Sequence, residues 1–119
     1  MLEQKSSSRM INDTLEKIEA RLRSAESVPD ERRQELLKLV NTLRSEIDEL
    51  SKTDEEHAQS IAGFTQVSTH EATRSAPNPD LVKASLEGLT GSVTGFEKSH
   101  PRLVQIVNNI SNTLSNLGI

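Results

Sequence analysis

Residues 36–50, LLKLVNTLRSEIDEL, decide the fold. Leu36, Val40, Leu43, Ile47 and Leu50 recur in four-three spacing, and polar or charged residues fill most positions between them. A repeat near 3.5 residues is the signature of helices packed along a narrow seam. Counted forward, the same register reaches Asp54, His57, Ile61, Phe64 and Ser68. It returns as Val82, Leu86, Leu89, Val93, Phe96, His100, Leu103, Val107, Ile110, Leu114 and Leu117. Counted backward, Ile11, Leu15, Ile18, Leu22 and Ala25 keep the same spacing.

Punctuation divides this rhythm into helices. Ser6, Ser7 or Ser8 would cap the first, read over 8–26. Val28-Pro29-Asp30 ends it, and Pro29 suits the first turn of the next. No proline interrupts the chain from there to Thr73. The unbroken register across Leu50, Asp54, His57 and Ile61 predicts one helix over 30–73, roughly 66 Å long, with a split near residue 53 as the alternative. Pro77-Asn78-Pro79 is a turn and starts a helix over 79–98. Ser99-His100-Pro101 breaks it, and the last helix, 100–117, stops at Gly118. The expected object is a single all-α domain over 1–119. It would be an elongated antiparallel helical hairpin, a coiled-coil bundle with an extra N-terminal helix.

A turn centred near residue 76 pairs residues whose numbers total roughly 152 in an αα-hairpin. Phe64 then faces Gly88, Leu50 faces Leu103 and Leu36 faces Leu117. The first helix folds back the other way, with Leu15 near Val40.

Composition narrows the function classes. The 119 residues are 33% hydrophobic and 2% aromatic, with net charge −4 and no cysteine. So lean a chain implies a thin core, and self-association, a dimer first, is expected to supply further burial. No basic stripe suits nucleic acid, and no apolar run approaches the roughly 20 residues of a membrane helix. The N-terminus lacks the apolar segment of a signal peptide. Absence of cysteine fits a reducing cytoplasm. Residues 1–56 carry 10 Lys/Arg and 14 Asp/Glu, against 4 and 4 in 57–119, so the second half has fewer charges to keep in water.

Two small-residue stripes flank the seam. One runs Ala58, Ala62, Thr65, Thr69, Ala72; the other runs Ala84, Gly88, Gly91, Gly95. Glycine costs about 1 kcal/mol against alanine inside a helix, so close approach of another helix is the functional reading, with a loose or partly unwound segment as the alternative. With the uncharged run from Leu103 to Ile119, this defines an expected interface: Ala58, Ala62, Gly88, Gly91, Gly95, Leu103, Val107, Ile110, Leu114 and Leu117.

No catalytic or cofactor-binding residues emerge. His70-Glu71 lacks the second histidine of a zincin, Asp54-Glu55-Glu56 lacks a calcium loop's spacing, and no serine sits in a nucleophile elbow. Asp54 and His57 share a face, and His100 falls nearly opposite. A polar layer that fixes register is the common use of such residues. A divalent-metal site on Asp54, His57 and His100 is the alternative, with Glu97 the remaining nearby ligand.

Four segments carry a family resemblance: Ser60-Ile61-Ala62-Gly63-Phe64, Thr69-His70-Glu71-Ala72-Thr73-Arg74, Gly95-Phe96-Glu97-Lys98-Ser99-His100-Pro101, and Leu114-Ser115-Asn116-Leu117-Gly118-Ile119. They resemble a small bacterial family known as domain of unknown function 4404. The resemblance implies a small helical bacterial protein and assigns no activity, cofactor or site residue. The expectation is therefore a non-enzymatic, cytoplasmic scaffold or interaction protein acting as a homo-oligomer. An adaptor docking a partner helix at the small-residue stripe is a further alternative.

Overall fold

In the computed structural model, which describes residues 2–118 and the side chains from Arg9 to Leu117, five helices carry the chain. They are α1 (Leu2–Ser24), α2 (Asp30–Ser51), α3 (Glu55–Ala72), α4 (Pro79–Gly91) and α5 (Pro101–Gly118). The all-α bundle expected from the periodicity is the fold, but its long arm is not one helix. Helix α1 begins at Leu2, so Ser6 to Ser8 lie within its backbone span and do not start it; their side chains fall outside the described residues.

The helix expected over 30–73 is two helices folded against each other. Near Ser51 the backbone tightens into i→i+3 bonds, with Lys52 N donating to Glu49 O (3.3 Å) and Thr53 N to Leu50 O (3.0 Å). Asp54 then leaves helical geometry at φ −150°, ψ 81° and caps α3, its side chain accepting from His57 N. Asp54 therefore occupies a seam position as an N-cap, which satisfies one orphan N–H of the new helix. The other end fixes the direction of α3. Ser27 Oγ donates to Thr73 O (3.1 Å), and Arg21 Nε donates to Thr73 Oγ1 (2.9 Å). The end of α3 thus lies beside the start of α2, and the two pack antiparallel. The bundle's long axis is accordingly 42 Å.

The helix expected over 79–98 stops at Gly91. Thr94 N donates to Gly91 O (3.1 Å), and Gly95 takes φ +97°. That left-handed conformation excludes continuation of the helix and favours a residue without Cβ. Gly95 is thus a loop residue of the α4–α5 connection and not part of a helical stripe.

Helix α3 is the spine, packed against all four other helices and most extensively against α1. Its buried positions explain how. Ala58, Ala62, Thr65, Ser68, Thr69 and Ala72 are small, and Ile61 is its single large core side chain. Short side chains bring helix axes close together, and each buried hydroxyl donates to a carbonyl. Thr65, Thr69 and Thr73 donate to the carbonyls of Ile61, Thr65 and Thr69, one turn back, at 2.6–2.8 Å. The small stripe on α3 therefore serves close approach within the chain. Around it, Leu15, Ile18 and Leu22 of α1, Leu36, Leu43, Ile47 and Leu50 of α2, Leu89 of α4, and Leu103, Ile110 and Leu114 of α5 complete the core. This core closes inside one chain.

Helix α1 also packs antiparallel to α2, as its spacing predicts. Arg44 reaches across to Asn12 Oδ1 (3.2 Å) and pairs with Glu19. The α1–α2 turn is held by Arg33, whose guanidinium donates to Leu22 O (2.8 Å), Ala25 O (2.7 Å) and Val28 O (3.0 Å). Leu22 lies in the last turn of α1 and Ala25 and Val28 follow it, where carbonyls lose their i+4 helical donors; Ala25 O also accepts from Val28 N (3.3 Å).

Candidate functional site

The hairpin of α3 and α4 builds the most distinctive surface. Asn78 starts α4 by accepting from Asp80 N (3.0 Å) and Leu81 N (3.4 Å), with Pro79 at the first helical position. Proline suits that position because its N–H would be unpaired anyway. Ser68 Oγ donates to Ser85 O at 3.0 Å, and the Phe64 ring lies over Gly88. Both pairs obey the register expected for this hairpin. A Cβ on Gly88 would stand 2.5 Å from Phe64 Cε1, so any larger residue there would push the Phe64 ring aside.

This register leaves large apolar side chains in solvent. Phe64 is 40% exposed, Val67 49% and Leu81 46%. Val67 lies one turn beyond Phe64 on α3, and Leu81 lies two turns before Gly88 on α4, so all three share the outer face of the hairpin. Around them the surface is low. Exposed Ser60 and Ala84 flank it, and Cβ positions on Gly63 and Gly91 meet nothing within 4 Å. From His57 to His70, α3 carries no Asp, Glu, Lys or Arg. Among the described residues, a further exposed large apolar side chain, Met10, is on α1.

At the opposite end of the hairpin, the α2–α3 turn meets the α4–α5 loop. Asp54 Oδ1 accepts from His57 N (3.1 Å), and its Oδ2 lies 3.0 Å from His57 Nδ1. The expected third member does not join them. Phe96 stands between the imidazoles, edge-on to His57 at 5.1 Å and to His100 at 5.7 Å. His100 instead meets Ser99 Oγ through Nδ1 (3.0 Å). Glu97, the remaining candidate ligand, accepts from Gly95 N (2.9 Å) and holds the loop. Among the described residues no three His, Cys, Asp or Glu side chains gather as a metal site. The layer expected halfway along a long hairpin is a partly exposed cluster at the bundle's end, because the chain reverses at Lys52–Asp54. Lys52 at this turn has its ammonium pKa raised, first by its hydrogen bond to Glu49 (2.9 Å) and then by that carboxylate's charge. Asp54→Ala is expected to lower stability by about 1 kcal/mol through loss of the cap, and Asp54→Asn to keep most of it. Urea unfolding of both variants checks this.

Most of the expected interface is spent inside the chain. Ala58, Ala62, Leu103, Val107, Ile110 and Leu114 are buried, Leu117 is partly buried against the core, and Gly88 lies beneath Phe64. The buried seam residues pack against the chain's own helices. Gly91 remains exposed at the end of α4. Val67 and Leu81 were not singled out by the spacing, since both fall off the seam. Their signal is an apolar residue at a position where the repeat calls for a polar one.

Fold and surface together define a small all-α bundle with an apolar outer face. The chain belongs to the family described as Domain of unknown function (DUF4404), which matches residues 36–119. Helix α1 and the α1–α2 turn precede the matched region. No curated protein and no solved structure matches the chain. No helix among the described residues is long and apolar enough to cross a membrane.

Proposed function

We propose that the chain is a non-enzymatic helical interaction protein that works as a homo-oligomer, a dimer first, through the outer face of the α3–α4 hairpin. The observation that carries this reading is the gathering of Phe64, Val67 and Leu81 on one face of a chain whose core is already closed. Apolar area left in water forgoes about 25 cal/mol per Å², and a second copy of the same patch recovers it symmetrically. The charge-free stretch of α3 lets two copies meet without burying unpaired ions. A bacterial, cytoplasmic setting belongs to the same reading, on the family resemblance and the cysteine-free composition.

Sedimentation equilibrium tests it. The wild-type chain is expected to form dimers, and Val67→Glu or Leu81→Glu to weaken the dimer at least about tenfold with unchanged circular dichroism. A wild-type chain that stays monomeric overturns the homo-oligomer. In that case the adaptor reading takes this face, and a partner captured by the wild-type chain is lost on Val67→Glu.

A further inference from the structure

We propose that the groove between α4 and α5 receives one face of a basic amphipathic helix from a partner protein, independently of the α3–α4 face. The groove has a volume of about 580 Å³ and runs along α4 from Pro79 to Thr90. Eleven residue steps of α-helix span roughly 17 Å, and a helix 10–12 Å across sweeps more than twice that volume over such a length. One ridge of side chains therefore sinks in while the rest of the helix stays outside. Val82 and Leu86 form an apolar floor one turn apart, which matches the i, i+4 spacing of an amphipathic ridge.

The charge of the walls selects the occupant. Ser111 of α5 lines one side of the groove. On the facing wall Asp80, Lys83 and Glu87 alternate in sign at helical spacing, and none is ion-paired among the described residues. A negative–positive–negative ridge is complemented by a helix with basic residues at both ends of its contact, and the net charge of this wall favours a basic partner over an acidic one.

The test uses the full chain and two synthetic helical peptides of about 14 residues. They share leucines at i, i+4 and differ only in Lys or Glu at the flanking positions. Amide NMR shifts are expected at Leu86, Glu87 and Ser111, with the basic peptide bound at least about tenfold more tightly. Glu87→Lys, an exposed substitution that leaves circular dichroism unchanged, is expected to abolish that preference. Equal affinity for the two peptides, shifts confined to other surfaces, or an unchanged preference in Glu87→Lys would overturn the proposal. So would groove signals that move on dilution of the chain alone, since a second copy would then be the occupant.

Discussion

Arg33→Ala is expected to lower the unfolding free energy by about 3 kcal/mol, through a side chain that touches no part of the proposed site. Hydrogen bonds from charged groups contribute about 1.5–3 kcal/mol, and a buried carbonyl left without its donor bears the cost of desolvation. Arg33 is only 20% exposed and serves Leu22, Ala25 and Val28 at once. Alanine strands the Leu22 and Val28 carbonyls where α1 turns into α2, and leaves Ala25 O only its long bond from Val28 N (3.3 Å). Arg33→Lys is expected to recover less than half of the loss, because an ammonium cannot reproduce a planar fork of donors. The measurement is urea unfolding, with the midpoint shifted and the slope unchanged. A loss below about 0.5 kcal/mol, the range of ordinary surface substitutions, would contradict this role.

Ile61→Ala is expected to cost about 3–4 kcal/mol, a large share of the 5–15 kcal/mol typical of a domain. Ile61 is fully buried and is the only large side chain that α3 sends into the core. Its buried neighbours on α3 are alanine, serine and threonine, which cannot expand into the cavity. Phe64, one turn along the same helix, is expected to behave differently. It rests on Gly88 with 40% exposure, so Phe64→Ala should cost about 1 kcal/mol, and Val67→Ala within about 0.5 kcal/mol. That contrast separates side chains that hold the bundle together from side chains available to a second copy.

The helices were legible because burial on one face imposes a period, and Pro29, Pro77, Pro79 and Pro101 mark the interruptions. The α3–α4 register was legible too, down to Phe64 over Gly88, since a short turn fixes which residues face each other. The reversal at Lys52-Thr53-Asp54 was not. No proline or glycine marks it, and three turn residues preserve the phase of the repeat, so two antiparallel helices read like one continuous helix. Direction is absent from periodicity; it is set by long-range contacts such as Arg21 and Ser27 on Thr73. Gly95 was misassigned for a related reason. Four-residue spacing after Gly91 mimics a helical stripe, and only its φ of +97° reveals a loop.

The candidate face was half legible. Phe64 and the small residues stood out, but they read as a seam awaiting a partner because the chain was expected to form a long two-helix arm. Once α2 and α3 fold together, α3 is enclosed by the other helices and its small positions are filled from within. The apolar residues left over are those off the repeat, Val67 and Leu81. They look unremarkable in sequence and become informative only when their exposure is known. The Asp54–His57 pair was likewise correctly brought together, while Phe96, assigned to the seam, separates it from His100.

The central claim is that two copies meet through the outer face of α3 and α4. The chain has no cysteine, so Ala84→Cys gives one spin-label site on that exposed face and Lys38→Cys gives one on α2. Double electron–electron resonance on each labelled protein measures distances between copies. The account predicts a short distance for the Ala84 label, within about two helix diameters or roughly 24 Å, and a longer one for the Lys38 label. No dipolar signal from Ala84→Cys, or a shorter distance from Lys38→Cys, would contradict it.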